Sequence, residues 1–233
     1  MRKYLTTLLL LLPILASSGN SLGLSAALEQ LGVETGPDDL PVAPVPGFLE
    51  VSNGTKLLYV SRDGQLLIDG DVILMASATN LTERRRAALR LEIVQRVPQN
   101  ERLIFPSAGS ARERLIVFTD TNCAYCLRFH RKLDEYSRRG IDIHYLFYPR
   151  SGPTGESFEQ AVAVWCAADR KRALASALAG NPLPAVKCNN PVMRHYDLAT
   201  KLGLKGTPAI ITADGTIHYG EVDVESVLRK SRR

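Results

Sequence analysis

No segment beyond residue 18 is both long and apolar enough to span a bilayer, which takes roughly 20 consecutive apolar residues. Internal repeats and low-complexity tracts are absent as well, so the chain is neither a solenoid nor a repeat array. Excess charge of one sign is also in short supply. The 29 Lys and Arg residues face 24 Asp and Glu, a formal net charge of +5, and that balance does not call for a nucleic-acid partner. Arg84, Arg85 and Arg86, like Arg229, Lys230, Arg232 and Arg233 near the end, read as solvated surface. Cysteine is scarce and unevenly placed, with four in all and none before Cys123. Only Cys123 and Cys126 form a close pair. A four-cysteine zinc site would show two, so no metal site is expected.

What the sequence does contain begins with a leader pattern. Arg2 and Lys3 precede the apolar run Leu5 to Leu15, and Ala16-Ser17-Ser18 then offers small residues for cleavage. Residues 1–18 are therefore expected to be a cleaved secretory signal peptide, with a soluble product. No cysteine follows the run, which argues against a bacterial lipid anchor. Export places the four cysteines in an oxidising compartment where disulfides persist.

The remainder divides in two. Residues 19–79 read as a small α+β unit. It has a short helix near Ser25 to Leu31 and strands at Phe48 to Val51, Lys56 to Ser61, Gln65 to Ile68 and Val72 to Met75. Asn53-Gly54, Asp63-Gly64 and Asp69-Gly70 separate the strands, and such pairs accept the positive φ of tight turns. The run Val72-Ile73-Leu74-Met75 is apolar on both faces. It is either buried within its own chain or covered by a second copy. Residues 80–105 read as a linker helix and connection. Asn80 and Glu83 have the spacing of a capping box, Leu89, Ile93 and Val97 form a narrow stripe, and Pro98 ends the helix. Residues 106–233 alternate a strand (Leu115 to Phe118), a helix expected from Thr121 to about Arg139, and a strand (Ile141 to Tyr148). Three more helices, a strand pair about Asp214-Gly215 and a last helix follow. This is a thioredoxin-like plan with a helical insertion, and the whole is α+β.

Cys123-Ala124-Tyr125-Cys126 sits where that first long helix begins. A thiol attacks a disulfide as its thiolate. Unpaired N–H groups at a helix start stabilise negative charge by about 0.3–1 kcal/mol, and by about 2 in partly buried sites. Cys126 falls on the apolar face with Phe129, Leu133 and Tyr136, so it is expected to stay a buried thiol. The division of labour follows: Cys123 attacks, and Cys126 resolves the mixed disulfide. A purely structural bond is a weaker reading, because so short a loop constrains little chain. His130 is placed on the helix surface and left out of the site. Cys166 and Cys188 are best read as a structural disulfide worth about 3 kcal/mol in the chain-entropy picture, with a second redox pair as the alternative. Thr207-Pro208 precedes a strand. It is a candidate cis peptide, although most X–Pro bonds are trans, and a proline there leaves neighbouring backbone free to pair with an extended peptide.

Together these features resemble the DsbC family of disulfide isomerases. The motifs are Phe118 to Cys126, the Trp165-Cys166 neighbours with Cys188, Gly206-Thr207-Pro208-Ala209, and Gly47 to Val51 with the paired Asp-Gly turns. The resemblance implies a V-shaped homodimer joined through cystatin-like N-terminal dimerisation domains, with a linker helix carrying each thioredoxin-like catalytic domain and an apolar cleft between them. It implies an exposed nucleophile at Cys123, a resolving thiol at Cys126, a cis-proline loop at Thr207 and Pro208, and a non-catalytic Cys166–Cys188 bridge. It further implies a periplasmic setting, a DsbD-like membrane reductase as partner, and no cofactor. Ala124 departs from the glycine frequent there in the family, which bears on redox potential. The expected activity is reshuffling of incorrect disulfides in unfolded or misoxidised exported proteins, with chaperone-like binding. The alternatives are a dedicated reductase or oxidase for few partners, and a dimeric holdase.

Overall fold

A computed structural model describes residues 20–230 of the chain; the expected signal peptide, residues 1–18, lies outside them. Among the described residues, those up to Val51 together with Leu58–Gly70 form one compact unit. Ser52–Leu57 and the chain from Asp71 onward form the other.

The first unit contains helix α1 (Asn20–Gln30) and most of an antiparallel sheet, order β1-β2-β3, built from β1 (Phe48–Asn53), β2 (Lys56–Ser61) and β3 (Leu67–Ile68). Leu24 and Leu28 of α1 pack on Leu49, Val51, Leu58 and Val60. The Asp63-Gly64 turn explains its glycine twice. Gly64 has φ +72°, and a Cβ there would run into the Gly23 carbonyl of α1. Asp63 also accepts from Ser61 Oγ and from the Gln65 N–H, which closes the turn.

In the second unit, β4 (Ile73–Leu74) and β5 (Thr79–Asn80) form a short hairpin that leads into α2 (Leu81–Gln95). Asn80 caps α2 by accepting from the Glu83 N–H at 2.8 Å. The Glu83 side chain instead pairs with Arg90, two turns further along the same face. The stripe is wider than the leucine spacing indicates, because Ala87, Arg90 and Val94 are buried too. Arg90 tolerates burial because its Nε donates to the Gly215 carbonyl at 2.7 Å. Gly215, at φ +77°, must be glycine for close approach as well, since a Cβ would strike the Ala87 carbonyl. Arg102 closes the far end of α2 by donating to the Val94 and Val97 carbonyls, each at 3.0 Å.

The central sheet has the order β10-β9-β7-β8-β6. Its strands are β6 (Leu103–Phe105), β7 (Glu113–Thr119), β8 (Ile141–Phe147), β9 (Ala209–Ile211) and β10 (Ile217–Tyr219). β7 and β8 run parallel in the register Leu115↔Ile143 and Val117↔Tyr145; the other pairings are antiparallel. Helices cover both faces, which is why Leu115-Ile116-Val117-Phe118 reads as a continuous apolar run. Leu115, Val117, Ile143, Tyr145 and Phe147 face a core with Phe129, Tyr136, Trp165 and Leu174. Ile116, Phe118 and Leu146 face Val94, Ala199 and Leu202. The insertion between β8 and β9 is helical: α5 (Glu156–Cys166), α6 (Arg170–Leu178) and α7 (Val192–Lys201). Helix α8 (Val224–Lys230) closes the chain. The α+β class and the thioredoxin-like plan hold, with β6 as an added edge strand.

One expectation fails. The helix expected from Thr121 to Arg139 is two helices, α3 (Ala124–His130) and α4 (Leu133–Arg138). Lys132 leaves helical geometry at φ −98°, ψ 8°. Neither proline nor glycine marks the break. It serves packing: Phe129 and Tyr136, one from each helix, stack at 5.0 Å between ring centres, and the Tyr136 hydroxyl donates to the Val222 carbonyl at 2.8 Å.

Candidate functional site

Strand β7 delivers the chain to the site at Asp120, and α3 begins four residues later, at Ala124. Cys123 is the residue that caps α3, and its Sγ accepts from the Cys126 N–H at 3.1 Å. The two cysteines are joined in a disulfide with their Cα atoms 5.2 Å apart. Both residues are buried, Cys123 7% and Cys126 1% exposed. Cys123 is therefore less open than the family resemblance implies, although it remains the outer of the two. The two residues between them, Ala124 and Tyr125, are exposed, Tyr125 at 57%.

The loop before β9 reaches the same sulfur from across the sheet. Thr207 Oγ1 donates to Cys123 Sγ at 3.4 Å, and the Thr207 carbonyl oxygen lies 3.3 Å from it. The Thr207–Pro208 peptide bond is cis. Cys123, Cys126, Thr207 and Pro208, drawn from positions 84 residues apart, thus meet at one place. Two donors, the Cys126 N–H and the Thr207 hydroxyl, point at Cys123 Sγ. They are disposed to stabilise a thiolate, while the Thr207 carbonyl favours a protonated thiol.

Behind the pair lies a charged clamp that spacing alone does not reveal. Asp120 is buried and accepts three times: Oδ1 from the Asn122 N–H at 2.9 Å, and Oδ2 from the Arg150 N–H at 3.0 Å and from Arg150 Nε at 3.1 Å; the Oδ2–Nε contact is also its ion pair. Arg150 further donates through a terminal nitrogen to the Asn122 carbonyl at 3.0 Å. The segment 120–122 is thereby held on both its N–H and its carbonyl side, immediately before Cys123. Thr121 adds a bond to the Ser157 carbonyl of α5 at 3.3 Å.

Cys166 and Cys188 form a second disulfide, Cα to Cα 5.8 Å, linking the end of α5 to the loop before α7. Gln160 braces that loop by bonding to both the N–H and the carbonyl of Leu183, at 2.8 and 3.1 Å. Arg170 lies over the Trp165 ring at 4.0 Å. His130 is not a surface group. It sits edge-on to Phe105 at 5.4 Å with Nδ1 3.2 Å from the Tyr145 hydroxyl, and burial pushes its pKa down to about 4. It is a half-buried neutral ring packed beside Phe105 and Tyr145.

Comparison with known proteins agrees with this geometry. Residues 107–230 match the thioredoxin-like domain model, and residues 16–83 match the model of the disulfide bond isomerase N-terminal domain. The chain is 31% identical over 217 residues to the thiol:disulfide interchange protein DsbC of Dickeya dadantii, covering 88% of this chain and 86% of that one. It is 29% identical over 207 residues to DsbC of Escherichia coli K12, with the same two coverages. A solved disulfide interchange protein from Neisseria gonorrhoeae has the same fold over 59% of this chain and 99% of its own, at TM-score 0.51 and 21% identity. The chain is a thiol:disulfide oxidoreductase and belongs to the DsbC family of thiol:disulfide interchange proteins.

Proposed function

We propose that this protein is a disulfide isomerase for exported polypeptides. The observation that carries the reading is the convergence of the Cys126 N–H and the Thr207 hydroxyl on Cys123 Sγ beside the Pro208 loop. In the reduced enzyme, the Cys123 thiolate attacks one sulfur of a wrong substrate disulfide. A Cys123–substrate bond forms, and the other substrate sulfur leaves as a thiolate. A different thiolate on the substrate then attacks the substrate sulfur of the mixed disulfide, and Cys123 leaves. A new substrate disulfide results and Cys123 returns reduced. Where the complex stalls, Cys126 attacks Cys123, the substrate leaves reduced, and the Cys123–Cys126 bond of this structure forms. An extended substrate segment would pair with backbone at the Pro208 loop.

The match of residues 16–83 to a disulfide bond isomerase N-terminal domain favours isomerisation over net oxidation. We assign that region to homodimerisation. Supporting this, Ile73, Leu74 and Met75 are apolar and exposed, Met75 at 86%. The leader pattern of residues 1–18 supports a periplasmic location, where a DsbD-like membrane reductase would keep the pair reduced. Two such domains in one dimer would also supply a chaperone-like grip on unfolded chains. Among the described residues no helix is long and apolar enough to cross a membrane.

The test is recovery of activity in a scrambled multi-disulfide substrate. Reduced protein is expected to restore it without added oxidant, and Cys123→Ala to abolish the effect. An alanine variant that reshuffles as well as the parent would overturn the nucleophile assignment and favour the holdase reading.

A further inference from the structure

The rim beside the sulfur pair carries an assembly that the reaction above does not use. Tyr125, the exposed aromatic between the cysteines, is held by Arg128, whose guanidinium carbon lies 4.0 Å from the ring centre. The residues are one helical turn apart on α3, so the stack is built into the motif's own helix. Arg128 Nε also lies 3.6 Å from Glu221 Oε1, and Lys132 donates to the other oxygen of Glu221 at 2.5 Å. Glu221 follows Gly220, whose N–H donates to the Pro208 carbonyl at 3.1 Å. The assembly therefore runs from the Cys123-x-x-Cys126 segment to the strand that backs the cis-proline loop.

Its charge is unbalanced. One carboxylate serves two cations, and Lys132 holds it the more closely. The terminal nitrogens of Arg128 make no hydrogen bond among the described residues, so two planar donors remain for an incoming acceptor. The opposite flank differs: there Glu156 lines a cavity with Thr121 and Asn122, close to Arg150, which is committed to Asp120. On the Tyr125 side two cations face one carboxylate.

We propose that the Tyr125–Arg128 stack is a substrate-recognition lip that favours disulfides whose attacked cysteine has a carboxylate side chain as an immediate neighbour. The stack presents the guanidinium fork at a fixed angle, and Glu221 anchors it to the loop that receives the substrate backbone. This rests on the reading of Cys123 as nucleophile. In the step concerned, Cys123 thiolate bonds to the neighbour-bearing cysteine of the substrate, and the electron pair of the broken S–S bond leaves on the partner sulfur.

The experiment uses two short peptides that differ only in Glu or Lys beside a single cysteine, each joined by a disulfide to a chromophoric aromatic thiol. Reduced full-length protein is mixed with each, and chromophore release gives the rate. The Glu:Lys rate ratio is the readout, because a change in the intrinsic reactivity of Cys123 cancels from it. The parent is expected to favour the Glu peptide about five-fold at low ionic strength, the scale of an exposed ion pair gained against one opposed, and less at high salt. Arg128→Gln should bring the ratio close to one. Tyr125→Ala, which keeps the charge but frees the guanidinium, should lower it part of the way. Arg131→Gln, equally cationic and exposed on the same stretch but outside the stack, should leave it unchanged. A parent ratio of one overturns the proposal, as does a ratio that survives Arg128→Gln or falls as far with Arg131→Gln. If neither peptide releases chromophore with the parent, the nucleophile assignment itself fails and the lip falls with it.

Discussion

The Thr207 hydroxyl donates to Cys123 Sγ at 3.4 Å, across 84 residues of chain. A side chain in the loop before β9 thus completes a donor set that the start of α3 only begins. Replacing Thr207 with valine keeps the branched shape next to Pro208 and deletes the donor. Reduced Thr207→Val is expected to hold less thiolate at neutral pH. Alkylation of Cys123 should slow about three- to ten-fold, the net worth of one ordinary hydrogen bond, as suits a contact of this length. A rate equal to the parent's would remove the hydroxyl from the account.

Arg150 secures Asp120, which is almost wholly buried. Arg150→Ala would leave that carboxylate without its cation and its Nε donor, while the backbone N–H of residue 150 still donates. Removing one partner of a buried pair costs more than the pair contributes; because the Arg150 side chain is itself half exposed, about 1–3 kcal/mol is expected in a urea titration. Asp120→Asn, which removes the charge along with the need for its partner, should cost less. Equal losses would mean that the clamp acts through shape alone.

Acid should weaken the fold through buried imidazoles. Burial pushes the pKa of His144 and of His195 down to about 4, and His195 Nδ1 accepts from the Phe147 N–H. An unfolded chain takes up these protons near pH 6.5, while the folded one resists until about pH 4. Stability is therefore complete above about 6.5, falls as pH drops through that window, and levels off below it, with at most about 3 kcal/mol at stake per ring. Denaturation midpoints at pH 7 and pH 4.5 check this. His195→Phe should shrink the difference between them.

The dimer proposed for the N-terminal region depends on Ile73, Leu74 and Met75 being covered by a second copy. Leu74→Asp would place a charge in that contact. Sedimentation of the parent should give twice the chain mass, and of the variant the single mass. A monomeric parent would contradict the assignment.

Local chemistry was readable in advance, and tertiary chemistry was not. The Asp63-Gly64 and Asp214-Gly215 turns and the Asn80 cap were legible because each works within a few residues. The division of the helix at Lys132 was hidden because Cys126, Phe129, Leu133 and Tyr136 keep helical spacing through it, and no proline or glycine signals the bend. Nothing near Arg90 in the sequence signals its burial, because its partner is the Gly215 carbonyl, 125 positions away. His130 was misplaced outward for the same reason, since Phe105 and Tyr145 come from other strands. The sulfur pair and the Thr207-Pro208 loop could be named separately. Their meeting is implied by the family resemblance alone, and the Asp120–Arg150 clamp behind them follows from strand order in the sheet.

The central claim is that Cys123 is the thiolate and Cys126 the shielded thiol. Alkylation of the fully reduced protein with a limiting reagent, mapped by mass on the two peptide positions across the neutral pH range, tests it directly. The account predicts that label accumulates on Cys123 first, at a rate that levels off near neutrality, with Cys126 labelled only after unfolding. Equal labelling of both, or earlier labelling of Cys126, would contradict it.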